Sequence, residues 1–453
     1  MGGMIMQFGA DSGIWKGAFT VNIGMSWGSS SYYPYEFTGA ADELLAARKT
    51  AWIGVNLNVS PVYDITGPEA VKFLNYVCVN RDYAKLKVGG SRHAIMCNDK
   101  GLMLADGVIL KADENRFRTY WMAPVIDYYV KSLGYDVQGV YIPDEYFFQI
   151  DGPKSLEILE KATQTDLHDL KFGQNKKVKI EGTDMIVYRL GMSGALAYEV
   201  HGAAKDAEIA YAAIRKTGEE FGAKMLGTKN YCVNHTQAGY PNQHIHYQYP
   251  YFSSGEGLAN FPGMEQMRHT YVGSCADNEE NYFVTPFDVG WGYLINFDHD
   301  FIGKEALQKL AENPPRVPVT LEWDADDVAD IYASQFRGQG TQPYERIDSP
   351  MDWGEPWHVL LGPNPLRNDK VLVDGKFIGV SAGRINDYYH QRVISLGFID
   401  KEYAMKGNDV IIIWGTPGKP QKEVRAKIAR FPYYDGEYRN ETFDVEKIPH
   451  PKF

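Results

Sequence analysis

The feature that most constrains this fold is an internal echo. Ile65-Thr66-Gly67-Pro68-Glu69 leads into Ala70-Val71-Lys72-Phe73-Leu74, and Ile150-Asp151-Gly152-Pro153-Lys154 leads into Ser155-Leu156-Glu157-Ile158-Leu159. Each reads as a strand end, a polar residue able to cap, a glycine, a proline near the first helical position, then apolar residues at helical spacing. Two such strand-to-helix units, about 85 residues apart, predict duplicated α+β halves.

The intervening patterns agree. His93 to Asn98 and Leu102 to Leu110 flank Asp99-Lys100-Gly101 as a hairpin, Phe117 to Met122 reads as a strand, and Pro124 to Leu133 as a helix. Ala204 to Phe221 reads as a long amphipathic helix. Trp27 to Pro34 is too aromatic for a solvated linker and reads as an ordered arm. Tyr231 to Gly290 is rich in Tyr, Asn, Gln, His and Gly with little periodicity, the pattern of functional loops. Phe301-Ile302-Gly303-Lys304 opens another helix, with Asp300 as its candidate cap. From Val317 short strands recur (Val317–Trp323, Lys370–Val373, Lys376–Ile378, Val393–Ile399, Val410–Trp414 and Val424–Ile428), reading as an antiparallel barrel or sandwich. The expected division is 1–312 and 313–453, near Glu312-Asn313-Pro314-Pro315.

A chain of 453 residues is too long for one core. Its net charge of -12 argues against nucleic acid as a partner. Four cysteines without close spacing suggest neither a zinc site nor a redox pair and fit a reducing compartment. No signal peptide follows Met1 and no apolar run of about 18 residues occurs, so the expected location is the cytoplasm, without a membrane partner. Subunit number is not legible. Aromatic residues make 13% of the chain, which suits aromatic-rich cores or a wide pocket for flat ligands.

Familiar motifs are missing: no dinucleotide or phosphate loop, and no nucleophile elbow. His235, His244 and His246 invite a metal reading, because His-x-His on a strand puts both rings on one face. The nearest following acid, Glu256, lies on a Gly-rich stretch, so no metal is expected and a polar pocket wall is the preferred reading. Either His244 or His246 could act as an acid or base near neutral pH.

Four stretches together carry a resemblance: Phe148 to Lys154, Leu190 to Ala195, Phe297 to Gly303 and Ile331 to Ser334. From about Tyr33 to Gly415 the chain resembles the tetrahydrofolate-dependent aromatic O-demethylases, which share the glycine-cleavage T-protein fold and act on vanillate, syringate or dicamba. The resemblance implies an α+β fold with a duplicated ferredoxin-like folate-binding core and a C-terminal antiparallel β-barrel. It implies tetrahydrofolate as methyl acceptor and a small aromatic methyl ether, such as a halogenated methoxybenzoate, as donor.

The resemblance also implies roles. Glu199 matches the pterin-binding glutamate, Tyr231 the catalytic tyrosine, Tyr240 a Trp against the folate, and Tyr33 a substrate-lining Tyr. Asp106 falls near a carboxylate that T-proteins use. The family's paired histidines are Asn58 and Val59 here, its arginine is Met122, and a pocket glutamine is His93. Losing that cation predicts a substrate without a carboxylate there, or one that presents it to Arg92, His93 or His244. The expected catalytic set is Tyr231 with one of His93, His244 or His246. Tyr120 and Tyr33 would stack on the ring, with Met122 and His246 lining it. Competing expectations keep the fold but change the donor to an aminomethyl, N-methyl or S-methyl compound, or bind folate without turnover.

Overall fold

A computed structural model describes residues 12–26, 29–55, 61–352 and 364–453. Asn58 and Val59 lie outside the described residues, as do Trp27 and Gly28 of the aromatic arm. Strands β1 (Phe19–Ser26) and β2 (Ser29–Glu36) form a hairpin, followed by helix α1 (Ala40–Lys49) and β3 (Trp52–Val55). The first half runs β4 (Tyr63–Thr66), α2 (Ala70–Val77), β5 (Ser91–Cys97), β6 (Met103–Asp113), β7 (Arg116–Tyr120), α3 (Val125–Ser132) and β8 (Gln138–Tyr141). The second repeats the order: β9 (Glu145–Asp151), α4 (Ser155–Thr163), β10 (Asn175–Ile180), β11 (Thr183–Tyr188), β12 (Ala197–Ala203), α5 (Ala207–Glu220) and β13 (Lys224–Leu226).

The two sheets repeat as well. One is ordered β5-β6-β7-β4-β8 and the other β10-β11-β12-β9-β3-β13. The echoed glycines explain why the motif is legible. Gly67 and Gly152 have φ of 135° and 134°, and a Cβ on either would lie 2.5 Å from a backbone oxygen, of Asp136 or Thr50 respectively. Only glycine fits where the chain leaves the sheet so close to its neighbour. Helices α2 and α4 begin after Glu69 and Lys154, neither giving a side-chain cap. Thr66 and Asp151 therefore end strands rather than cap helices.

Each sheet alternates apolar and polar faces, as pleating requires. In the second half Ile53, Phe148, Ile150, Val187, Tyr198 and Val200 pack on α4 and α5. In the first, Ile65, Ile109 and Phe117 pack with Phe73 and Leu74 of α2 and Val125 and Ile126 of α3. The remaining faces meet, with Val62, Leu110, Tyr120 and Tyr188 clustering between them. Register makes the halves comparable: Glu199 pairs with Gln149 as Arg118 pairs with Asp64.

Helices α6 (Thr228–Tyr231), α7 (Val233–Ala238) and α8 (Glu256–Ala259), strand β14 (His269–Val272) and helix α9 (Lys304–Glu312) connect this core to the barrel. Gly303, in the left-handed region at φ 85°, sits at the N-cap of α9; Asp300 instead accepts from Lys304 Nζ at 3.1 Å. The barrel strands are β15 (Arg316–Trp323), β16 (Asn364–Val373), β17 (Lys376–Asp387), β18 (Arg392–Asp400), β19 (Asp409–Trp414) and β20 (Lys422–Ala429), with α10 (Ala325–Ser334) after β15. They close through a β16–β19 pairing, and β14 joins β16 in parallel. Beyond β20 the chain returns to the core, where Phe443, Val445 and Ile448 are buried with the second half. Arg189 ties that return down by donating to Phe443 O at 2.7 Å and Asn440 O at 3.1 Å. Among the described residues, no helix is long and apolar enough to cross a membrane.

Candidate functional site

The inward face of the second sheet is where strand alternation places chemistry. Polar residues occupy alternate positions in otherwise apolar strands: Gln149 and Asp151 on β9, Glu199 and His201 on β12. Glu199 and Gln149 are register partners. Gln149 is fully buried, and neither amide atom finds a hydrogen-bond partner among the described residues. Asp151, also fully buried, lies beside Ser193, Glu199 and Arg48. Burial pushes its carboxyl well above the ordinary range, and the Glu199 charge adds to this against Ser193 and the Arg48 charge, while neither carboxyl oxygen finds a hydrogen-bond partner among the described residues.

Helices α6 and α7 carry the next wall. Tyr231 is buried, and its hydroxyl has no hydrogen-bond partner among the described residues. Burial drives its phenol well above the usual value, and the Glu199 carboxylate is the next cause. The wall is a run of rings: Trp52 to Tyr231 at 6.3 Å, Tyr231 to His235 at 5.3 Å, His235 to Tyr240 at 6.0 Å and Tyr240 to Trp291 at 5.4 Å. Trp291 meets His93 edge-on at 4.6 Å. Both His235 nitrogens are unpartnered among the described residues, and burial pulls its pKa down to about 4, so the ring is neutral at physiological pH.

The first half supplies the far end. His93 Nε2 lies 2.9 Å from Asp106 Oδ2, and Tyr240 Oη lies 3.5 Å from the same nitrogen. Tyr247 donates to Asp106 Oδ1 at 2.8 Å, and Tyr249 donates there too. Tyr240 is pushed up by burial, then by Asp106, and also by Glu199. Ring and hydrogen-bond contacts thus run from Tyr231 through His235 and Tyr240 to His93 and Asp106, with the Glu199 charge felt at both Tyr231 and Tyr240. An orphaned buried polar atom costs about 1–3 kcal/mol, so Tyr231, Gln149 and His235 mark where a polar, aromatic ligand would be satisfied.

Other sequence candidates lie elsewhere. His244 and His246 do not share a strand face: they fall in a turn, with His244 at φ 67°. His244 Nδ1 is 2.5 Å from His269 Nε2, beside a cleft lined by Arg367, Asp369 and Arg384 of the barrel. His246 accepts from the Asn242 N–H at 3.0 Å and donates to Thr236 Oγ1 at 2.9 Å, since that hydroxyl's hydrogen goes to Gly383 O. Tyr120 lies between the sheets and donates to Glu145 at 2.9 Å. Met122 is fully buried in the core of the first half. The side chain of Tyr33 on β2 is outside the described residues. Among the described residues Asp166, His168 and His450 come within metal-ligand distance of one another. The two rings stack at 3.9 Å with 19° between planes, so their in-plane lone pairs run side by side and do not converge. The group ties the chain's end to the core, His450 Nδ1 lying 2.7 Å from Asp166 Oδ2.

Sequence reasoning passed over Gln149, Asp151 and His201 as site residues. Their signal was available as polar residues at period two in Phe147-Phe148-Gln149-Ile150-Asp151 and Tyr198-Glu199-Val200-His201.

Comparison with known proteins agrees with this architecture. The GCVT N-terminal domain family model matches residues 11–247. A sesamin methylene transferase from Sinomonas sp. is 45% identical over 452 residues, covering 98% of each chain. A syringate O-demethylase from Sphingobium sp. is 29% identical, covering 88% of this chain and 89% of that protein. The crystal structure of the glycine cleavage system aminomethyltransferase T from Bartonella henselae superposes with a TM-score of 0.64 at 16% identity, covering 93% of this chain and 96% of that one, and shares the fold. With a family model spanning more than half of its length and a near full-length relative at this identity, the chain belongs to the GCVT, or glycine-cleavage T-protein, family of one-carbon-transferring enzymes.

Proposed function

We propose that this chain moves a one-carbon unit from an aryl ether to N5 of tetrahydrofolate. The reading is carried by one observation: the buried Tyr231 hydroxyl, unpartnered among the described residues and on an aromatic wall, feels the Glu199 charge. Glu199 accepts two parallel hydrogen bonds from the amino-pyrimidine edge of the pterin, as a carboxylate does from a guanidinium. Gln149 beside it offers one donor and one acceptor to the neighbouring lactam. Tyr240 and Trp291 supply rings for stacking. N5 then attacks the ether carbon from about 3–3.5 Å. Tyr231, whose phenol holds its proton, hydrogen-bonds the departing oxygen; an acid donor of this kind is worth about 10²–10⁴-fold. Neutral His235 accepts the proton that N5 sheds, and the phenolate regains one, so the reaction is redox-neutral.

Two donor classes fit this scheme. A methoxyarene, a halogenated methoxybenzoate such as dicamba included, gives a phenol and 5-methyltetrahydrofolate. A methylenedioxyarene loses both C–O bonds in turn, N5 and N10 each exchange a hydrogen for carbon, and the products are a catechol and 5,10-methylenetetrahydrofolate. The second class is favoured by the 45% identical methylene transferase and by Met122 standing where the resembled demethylases have a cation for a carboxylate. The test incubates the enzyme with tetrahydrofolate and sesamin, syringate or dicamba, and identifies the folate product by mass. Sesamin is expected to give the methylene adduct. A methyl adduct from a methoxyarene would instead select the first class. No folate adduct from any of them, nor from aminomethyl, N-methyl or S-methyl donors, would reject turnover altogether.

A further inference from the structure

On the far side of Glu199 from the ring wall stands a second carboxylate, with an imidazole between the two. His201 Nδ1 lies 2.9 Å from Glu145 Oε1, and His201 Nε2 lies 3.6 Å from Glu199 Oε2. The side chain of His201 is 4% exposed, so water does not screen either contact. The other elements packed on this ring are known. Tyr120 of β7 meets it edge-on at 5.1 Å, Tyr188 of β11 at 4.7 Å and Phe147 of β9 at 4.9 Å. Arg118 of β7 faces the opposite oxygen of Glu145 and also binds Asp64 at 2.7 Å and 2.9 Å. Glu145 and Glu199 are the charges that act most strongly on the ring. A charged cleft lined by Arg118, Glu145, Lys177, Lys179, Asp184 and His201 opens this cluster to the surface, away from the ring wall.

Proton counting fixes what the imidazole does. An ionised Glu145 can only accept, so Nδ1 carries a hydrogen. Were the ring neutral, Nε2 would present a bare lone pair to the Glu199 oxygen. Only the imidazolium is matched to both neighbours.

We infer that His201 is a positioning residue for folate binding: as an imidazolium clamped by Glu145, it holds the Glu199 carboxylate aimed at the pterin. The idea rests on the reading of Glu199 as the pterin carboxylate. The two flanking carboxylates outweigh the burial of the ring and hold its pKa above the ordinary imidazole value. The folate grip would then have an alkaline limit, reached where His201 loses its proton.

The test is tetrahydrofolate affinity by anaerobic calorimetry across the pH range, on the full-length protein. Wild type is expected to bind on a plateau that falls away on an alkaline limb. His201→Gln is expected to lose that limb and to bind about tenfold more weakly on the plateau. Glu145→Gln keeps the imidazole but removes its clamp, and is expected to move the alkaline limb to lower pH. A merely structural role would weaken binding equally at every pH. A His201→Gln profile superimposable on wild type, or an alkaline limb unmoved in Glu145→Gln, overturns the inference. Absence of tetrahydrofolate binding by the wild type overturns the parent reading instead.

Discussion

The two halves share a backbone but use the same positions in opposite ways. In the first, the register partners are Asp64 and Arg118, joined by two hydrogen bonds, with Arg118 also reaching Glu145. In the second, the corresponding partners are Gln149 and Glu199, and Gln149 is left unsatisfied. Tyr120 and His201 are likewise equivalent in register and converge on the same oxygen of Glu145. At this register position the first half pairs its polar groups and serves as scaffold, while lending His93 and Asp106 to the site's far end. The other keeps its polar face open. Duplication here supplies a site and its support from one design, the sign of a side chain deciding which is which.

This contrast can be broken in several ways. The largest effect is expected at Tyr231→Phe: turnover falls about 10²–10⁴-fold in single-turnover assays while folate affinity stays within about twofold. The melting midpoint should not fall, because the lost hydroxyl has no partner. Wild-type turnover would remove Tyr231 from the chemistry. Arg118→Met comes next and should act on the opposite property. It removes the cation that Asp64 and Glu145 share, leaving Asp64 only Arg116 at 3.4 Å and Glu145 only His201, and is expected to cost up to about 3–5 kcal/mol in denaturant unfolding, with far smaller change in folate affinity. A variant as stable as wild type would dissolve the division between scaffold and site.

Glu199→Gln should weaken folate by about 1.5–3 kcal/mol through the lost charge-assisted hydrogen bonds, with stability unchanged or slightly raised. Calorimetry showing unaltered affinity would refute the pterin assignment. The smallest effect concerns Asp151. Its pKa is raised in the folded state, so the native protein binds the extra proton and stability falls as pH rises above the unfolded carboxylate value of about 3.9, until the folded group itself ionises. Asp151→Asn is therefore expected to leave stability unchanged in acid and to raise the melting midpoint increasingly toward neutral pH. A uniform shift at every pH would show that Asp151 does not carry this penalty.

How much of this was legible follows from what kind of signal each residue sends. Gly67 and Gly152 announced the duplication because a backbone conflict forbids any side chain there. The barrel strands were legible because alternation survives in a two-faced sheet. Glu199, Tyr231, Tyr240, His93 and Asp106 came from resemblance; contacts link Tyr231 through His235 to Tyr240, His93 and Asp106. His244 and His246 did not join them, because the reading assumed a strand where the chain makes a left-handed turn. Asp300 looked like a cap by composition, but Gly303 provides the required φ. His201 and Gln149 were hidden in plain alternation: only knowing which face meets the other sheet distinguishes a site from a solvated edge.

The sheet order carries one more lesson. Strand β3 precedes the first half in sequence yet completes the second half's sheet, between β9 and β13, whereas the first half's sheet is built from its own five strands. The second half is therefore hooked around the first, borrowing a finger from its far side. A cut at the sequence midpoint of the core would separate β3 from the sheet that needs it. A minimal folate-gripping fragment would have to be circularly rewired so that residues 52–55 travel with β9 to β13.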